Sequence, residues 1–561
     1  SPTYSWTEWN HAYYDMHNVF AILLNSDAKN PLLPKSVEVG DTVKQKSAEA
    51  CNLTIDLKDI EKRIVAIPIP AGQYSNLSFH NRKLYYSYRT AKDKKLQLKA
   101  FDFDNQKESD FGAFDDISFT SNAKYLLIND SKKYYSLPTP ASGKIELKDP
   151  IDVTDYKASV DYRAEYEQIY YEAWRQMRDF FYAPNMHGVN WDAMREKYAS
   201  LLPYINHRTD LSYVIGELIG ELNCGHAYVG DGDWEKAERI PLGLLGADLV
   251  KDHVSGFYKV SKILQGDVKS GSVLSPLALP GVNIKEGDYI LSISGISLKE
   301  TPNPYALLVG KAGKQVEIAY NNKPSVDGMS TAIIVPISDE SSLRYFDWVH
   351  GNIEYVSQQT NGDVGYLHIP NMLSEGLNQF VKYFYAQLNK KALIIDNRGN
   401  GGGNVSPMIV ERLRREIDMM LMSRNTEPYP SPQLMYGPKV LLLDRYSASD
   451  GDLFPWRFKH YKIGTTIGER SWGGTVGIRG SLPFVDGGTL SKPEFSRFDI
   501  TGKEWIIEGY GVDPDIELRN DPAIEFKGRD LQLEKAISII KEQISNQKPL
   551  PKMPAFPDKS K

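Results

Sequence analysis

The chain changes its hydrophobic period several times. Over residues 1–150, short apolar segments alternate with polar residues, the period-two pattern of strands. "HNRKLYYSY" (His80–Tyr88) and "SNAKYLLIN" (Ser121–Asn129) share one layout: a polar turn, a lysine, then a strand. The 41 residues from Lys83 to Lys124 match the repeat of a propeller blade. Only two or three blades fit in this length, whereas closed propellers typically use about four to eight. The expectation is an incomplete set of blades, with a plain antiparallel meander as the alternative.

From Asp161 to about Asn223 the period becomes helical. "YRAEYEQIYYEAWRQMRDFFY", "NWDAMREKYASLLPYI" and "DLSYVIGELIGELN" predict three amphipathic helices, the last capped by Thr209-Asp210. Residues 236–340 return to strands. "IKEGDYILSISGISL" (Ile284–Leu298) reads as turn, strand, glycine turn and strand. That pattern suits a PDZ-type module, which holds an extended peptide or its carboxylate by strand addition; a small β-domain with ordinary turns is the alternative. From Phe346 onward strands and helices alternate. "DVGYLHIP" is a strand, "GLNQFVKYFYAQLN" a helix, "KALIIDNRGNGGGNVS" a buried strand ending in glycines, and "MIVERLRREI" a helix. "KVLLLDRYSASDGD" is a further strand running into a serine-rich turn, and Leu531–Asn546 is a closing helix. The expected fold class is multidomain α+β. Partial β-propeller blades occupy 1–150, a helical layer 155–234, a PDZ-like β-domain 235–342, an α/β core 343–546 and a disordered tail 547–561.

Composition narrows the function classes. Of 561 residues, 41% are hydrophobic and 25% charged, as in a globular protein of several domains. The net charge of −6 leaves no global basic surface of the kind that nucleic acid attracts. No apolar run approaches the ~20 residues of a membrane span. Two cysteines, Cys51 and Cys224, allow at most one bridge, so this is no disulfide scaffold. HExxH, paired CxxC and P-loop motifs are absent, which argues against the common zinc and nucleotide sites; neither metal nor cofactor is expected. The chain opens on "SPTYSWTEWN", within sequence that reads as structured. A processed or truncated piece is therefore expected, and the compartment, cytoplasmic or periplasmic, stays open.

Four stretches carry candidate chemistry. Ser449 lies in "YSASDGD", between a buried strand and a helix, where outward-pointing N–H groups can hold a developing oxyanion. Ser449 with Asp452 also reads as an S-x-x-D helix cap. His226, in "ELNCGHAYV", follows a predicted helix between small residues. The glycines of "DNRGNGGGNVS" let backbone N–H groups approach a ligand; a phosphate loop is the rival, but its lysine is missing. Glu508, in "WIIEGYGVDPDIEL", could orient or polarise a base or be only a strand-end charge. Together they supply a nucleophile, a base, a carboxylate and backbone donors, the parts of acyl transfer. The motif is not the G-x-S-x-G elbow, because Ser447 stands where its first glycine would be, and the order histidine, serine, acid differs from that of α/β-hydrolases.

With "VGYLHIP", "IIDNRGNGGGNVS", "SASDGD", "IGERSWGGTVGIRG" and "EGYGVDPDIEL" in this order, the chain resembles tricorn-type serine proteases, the tricorn core branch of the C-terminal processing protease superfamily. The resemblance covers essentially the whole chain. It implies propeller blades, a helical layer with the catalytic histidine, a PDZ domain and a core with the nucleophile. It also implies a homo-oligomer acting on short or unfolded peptides. By motif, Ser449 would be the nucleophile, His226 the general base and Glu508 the supporting carboxylate. The Asp450 N–H with that of Gly403 or Gly402 would form the oxyanion hole. The family has a serine before the histidine, and this chain has Gly225, so a water or a direct contact would have to replace the hydroxyl link. A related branch uses a serine–lysine dyad; Lys459 is the nearest lysine and reads as solvated. The family's specificity acid aligns with Met419 or Met420, with Asp418 one or two residues early, which implies apolar rather than basic residues before the cleaved bond. The alternative function is a catalytically weak or inactive peptide-binding scaffold using the PDZ-like module.

Overall fold

Leu393 and Ile395 face one way from the strand Ala392–Asp396, and Ala392 and Ile394 face the other. This strand is buried on both faces, which is why its sequence is a continuous apolar run rather than an alternation. In the computed structural model, which describes residues 15–28, 30–32, 55–266, 274–431 and 434–560 and the backbone pairing of Pro2–Tyr4 with His11–Tyr13, it lies within a five-stranded parallel sheet. The sheet order is Val364–His368, Ala392–Asp396, Lys439–Leu443, Thr465–Gly468 and Ile516–Glu517. Helices Ser374–Tyr385, Ser406–Leu413 and Asp450–His460 pack on one face through Phe380, Phe384, Ile409, Phe454 and Phe458. Helices Ser341–Gln359 and Leu531–Ser545 cover the other through Val356, Leu533, Ile537 and Ile540. In such a sheet, ligands bind beyond the carboxyl ends of the strands, and both "NRGNGGGN" and "YSASDGD" begin there.

The chain divides into two units, Ser1–Ser159 and Val160–Lys561. In the first, Gln73–His80, Lys83–Arg89, Leu96–Asp102 and Lys107–Phe114 form a four-stranded antiparallel sheet in chain order. Asp116–Phe119, Tyr125–Asp130 and Lys133–Pro138 form a three-stranded one. Lys83 and Lys124 both introduce the second strand of their sheets, so the recurrence in sequence is a recurrence in structure. Cys51 lies outside the described residues.

In the second unit, helices Tyr162–Phe180, Trp191–Ala199 and Arg208–Gly220 share one apolar core with Val476, Phe484 and Leu490. The third helix starts earlier than expected. Its cap is His207, not Thr209-Asp210: His207 accepts from the Thr209 N–H, and the Asp210 carboxylate takes the His207 N–H. Strand Tyr228–Gly230 pairs with Thr489–Phe495, which also pairs with Gly477–Arg479, stitching the helical layer to the core. Residues 247–334 form an antiparallel sheet in the order Ala247–Lys251, Tyr258–Ile263, Tyr289–Ile293, Val316–Asn321 and Ser330–Ile334. Ile296–Ser297 folds back on Tyr289–Ile293 as the hairpin expected from "ILSISGIS". Residues 547–560 carry no helix or strand and lie largely exposed. Among the described residues no helix is long and apolar enough to cross a membrane.

Candidate active site

Strand Lys439–Leu443 delivers the chain into a tight turn at Asp444–Ala448 and then into helix Asp450–His460. Ser449 occupies the cap position of that helix, but its side chain makes no cap hydrogen bond. Its backbone sits at φ 57°, ψ −118°. A non-glycine residue held there costs about 1–3 kcal/mol. Capping would have used ordinary extended backbone and a side chain turned onto the helix, so the capping reading is overturned. The helix instead closes on the Ser449 carbonyl, which accepts from Asp452 and Leu453 N–H at 2.9 and 3.1 Å.

The turn is braced from the neighbouring strand. Ser447 Oγ donates to the Asn397 carbonyl (2.9 Å), and the Ala448 N–H donates to the Asn400 carbonyl (2.8 Å). Pro455 lies inside helix Asp450–His460 and has no N–H for the carbonyl of Gly451, four residues back. Asn397 Nδ2 supplies the missing donor at 2.9 Å. A side chain on Gly451 would meet the Asn400 carbonyl oxygen at 2.4 Å, so glycine is required for this close approach.

The glycine loop passes alongside. A Cβ on Gly402 would lie 2.6 Å from Ser449 Cβ, which places the loop against the serine. The two candidate loop donors differ. The Gly402 N–H is spent on Asn400 Oδ1 at 2.9 Å. The Gly403 N–H has no acceptor among the described residues, and neither has the Asp450 N–H. Asp450 is fixed by its carboxylate, which takes Ser406 N–H and Oγ–H at 2.9 and 2.5 Å and faces Arg457 at 3.1 Å.

His226 is buried, and its Nδ1 lies 2.7 Å from the Val476 carbonyl oxygen. A carbonyl only accepts, so Nδ1 carries the proton and Nε2 keeps the lone pair. Burial lowers the imidazole pKa below its usual value, opposed by the charge of Glu508. Glu508 does not bond the histidine. Its Oε2 accepts from Thr475 N (2.6 Å), Val476 N (2.9 Å) and Thr475 Oγ1 (3.1 Å). The carboxylate thus holds the backbone of the residue whose carbonyl holds His226. This contact through Val476 stands where the expected hydroxyl link is absent at Gly225. Ile507, just before Glu508, has φ 45°, a strained value for a β-branched residue. Cys224 Sγ faces Glu508 Oε1 at 3.9 Å, and burial pushes its thiol up to about 12.

Trp472 joins the two halves. Its backbone N–H donates to the Ser447 carbonyl at 3.0 Å, and its ring stands edge-on to His226 with centroids 5.8 Å apart. Gly473 N–H donates to Asp452 Oδ1 at 2.7 Å. Asp452 is fully buried, which raises its carboxyl to about 6. The sequence carried "IGERSWGGTVGIRG" only as a resemblance; its aromatic residue and two glycines were the available signal for these contacts.

Met419 and Met420 lie on a two-stranded hairpin, Met419–Leu421 with Tyr429–Ser431, and Asp418 N–H closes it on the Ser431 carbonyl. None of the described hydrogen bonds or ring contacts joins this hairpin to Ser449, His226 or Glu508. Met420, Leu421, Met422 and Pro428 line an apolar cavity of about 370 Å3 together with Pro551–Pro557. Lys459 does not reach Ser449: its Nζ is held by the Asp513 carbonyl (2.7 Å) and Asp515 (2.9 Å).

The domain models of known families match in chain order. The Tricorn protease C1 domain matches residues 162–220, the Tricorn protease PDZ domain 243–339 and Peptidase family S41 363–518. The chain is 32% identical over 509 residues to Tricorn protease homolog 1 of Streptomyces coelicolor, spanning 86% of this chain and 47% of that one. It is 30% identical over 567 residues to the Tricorn protease of Thermoplasma acidophilum, spanning 97% of this chain and 51% of that one. A crystal structure of the tricorn protease superposes with a TM-score of 0.86 at 28% identity, covering 97% of this chain and 53% of that one. The chain thus spans about half the length of these curated relatives.

Proposed function

Because the chain belongs to the tricorn proteases of peptidase family S41, we propose that it hydrolyses peptides through an acyl-enzyme on Ser449. The observation that carries the reading is the backbone of Ser449, held at φ 57° with its side chain free of any cap bond. A binding scaffold has no use for that strain, whereas a nucleophile needs its Oγ lifted clear of the helix.

The chemistry follows from the surrounding groups. Ser449 Oγ attacks the scissile carbonyl carbon while His226 Nε2 takes its proton. The Val476 carbonyl steadies the Nδ1–H side of the ring as it becomes imidazolium, and Glu508 fixes Val476. The carbonyl oxygen gains negative charge and is held by the N–H groups of Gly403 and Asp450. His226 then returns the proton to the leaving amine as the C–N bond breaks. Water, deprotonated by the same nitrogen, releases the acyl group and restores Ser449. No step calls for a metal or a diffusible cofactor.

Short or unfolded peptides suit a site of this kind, held in extended form by the PDZ-like sheet. The two N-terminal sheets are read as partial propeller blades, and the working particle as a homo-oligomer. Apolar residues are preferred before the cleaved bond, Met419 or Met420 standing in the acidic position. The test is covalent: a fluorophosphonate probe added to the native protein, followed by peptide mapping. Labelling on Ser449 supports the reading. Unlabelled Ser449 in folded protein would overturn it in favour of a scaffold.

A further inference from the structure

Asn400 is fully buried, and its polar groups reach three different segments. Its side-chain Oδ1 accepts from the Gly402 N–H at 2.9 Å. Its Nδ2 donates to the Ile369 carbonyl at 2.9 Å, at the end of the adjoining strand. Its own carbonyl accepts from the Ala448 N–H at 2.8 Å, one residue before Ser449. One residue thus fastens the glycine loop and the nucleophile turn to each other and to the sheet. A buried asparagine needs partners to satisfy its amide, but satisfaction alone does not require them to be these.

The consequence lies in which N–H groups remain. Gly402 and Gly403 are adjacent, and both have the positive φ values of a tight loop, 90° and 146°. The loop lies against the serine at Gly402, and of the two amides only that of Gly403 lacks an acceptor among the described residues. We infer that Asn400 is a positioning residue: by taking up the Gly402 N–H it leaves Gly403 as the loop's oxyanion donor, and through Ala448 it fixes that donor's distance from Ser449. This inference rests on the peptidase reading above. Neither glycine can be probed by adding a side chain. A Cβ on Gly403 would fall 2.0 Å from the Met372 carbonyl oxygen, and one on Gly402 would strike Ser449. Asn400 is the point in the loop where the donor set can be changed without adding a side chain to either glycine.

Two variants separate acceptor from donor. Asn400→Ala removes both side-chain bonds and frees the Gly402 amide. Asn400→Asp keeps an oxygen for that amide and puts a second oxygen where the donor to Ile369 stood, which must carry a proton there to avoid facing the carbonyl as an anion. Asn400→Ala removes no N–H but releases the loop that aims the Gly403 donor; as full loss of one oxyanion donor typically costs ~10²–10³ in kcat, kcat is expected to fall up to about 100-fold with KM within about threefold. The Ki of a peptide aldehyde, whose hemiacetal oxygen occupies the same hole, should rise in parallel with the loss of kcat. Asn400→Asp should retain most of kcat. A merely structural role would move KM and melting temperature together with kcat, without a selective loss of aldehyde affinity. The inference is overturned if Asn400→Asp loses kcat as severely as Asn400→Ala, or if Asn400→Ala changes kcat and aldehyde Ki by less than about threefold. Should Asn400→Ala not fold, Asn400→Asp decides alone: near-normal kcat and aldehyde Ki support the acceptor role, and a selective loss of both refutes it. Fluorophosphonate labelling of wild-type Ser449 keeps the two readings apart. A labelled wild type with unaffected Asn400 variants defeats only the positioning role, whereas an unlabelled wild type defeats the peptidase reading itself.

Discussion

His226 Nδ1 lies 2.7 Å from the carbonyl oxygen of Val476, and the N–H of the same Val476 lies 2.9 Å from Glu508. Glu508 therefore reaches His226 through the backbone of one residue, Val476, rather than through a side-chain hydroxyl. Glu508→Ala would leave the Thr475 and Val476 N–H groups without their acceptor, at about 1–3 kcal/mol for each buried group. It should lower the melting temperature and reduce kcat at least tenfold. Glu508→Gln keeps one acceptor oxygen and should be milder on both counts. Full kcat and unchanged melting in Glu508→Ala would break this link in the account.

Gly225 tests the same wiring from the other side. A Cβ built there meets nothing nearer than Trp472 Cζ2 at 3.6 Å, an ordinary contact. Gly225→Ser should fold normally and keep or raise kcat, because it adds a hydroxyl beside a histidine already anchored by Val476. A loss of kcat beyond tenfold would mean that the glycine backbone itself is needed.

How much of this was legible in sequence differs by residue. The strands Val364–His368, Ala392–Asp396 and Lys439–Leu443 were plain, because strands buried on both faces are apolar over most of their length. Ser449 stood out at a strand–helix junction, and His226 and Glu508 as polar residues beside turns. The link between them was not legible, since a carbonyl such as that of Val476 is common to every residue and carries no sequence signature. The choice between Gly402 and Gly403 was hidden for a related reason: it depends on where the Asn400 side chain points. Pro455 has no N–H to continue its helix, and Asn397, 58 residues earlier, supplies the donor to the Gly451 carbonyl, a pairing with no local sequence signature.

The pH dependence has a definite sign. Burial lowers the His226 pKa from 6.5, so the neutral, base-competent ring persists below that value. The acid limb of kcat/KM should reach half-maximum below pH 6.5. The same shift makes this group's contribution to stability complete above pH 6.5 and progressively lost as pH falls through the lowered folded value. Asp452 works in the opposite sense. With its folded pKa raised from 3.8 to about 6, its burial costs stability above pH 6, and that cost is relieved as pH falls from 6 towards 4. Thermal melts from pH 4 to 7 should therefore show a smaller benefit of acidification in Asp452→Asn than in wild type. Identical curves would contradict the assignment.

Specificity should follow the methionines. A lysine or arginine head placed without a partner against Met419 or Met420 loses hydration and gains no ion pair, whereas a leucine or phenylalanine finds a polarisable apolar wall. Matched peptides carrying Leu, Phe, Arg or Lys before a reporter group should give higher kcat/KM for the apolar pair. A clear advantage for Arg or Lys would mean that Asp418 or another acid fills the position.

The central claim is that Ser449 is the nucleophile, and peptide turnover by Ser449→Ala tests it most directly. The variant removes one oxygen at a strained position and none of the bracing around it. Its melting temperature should match or exceed that of wild type, and its hydrolysis of a peptide library should fall to background. Turnover at the wild-type rate by folded Ser449→Ala protein would contradict the account.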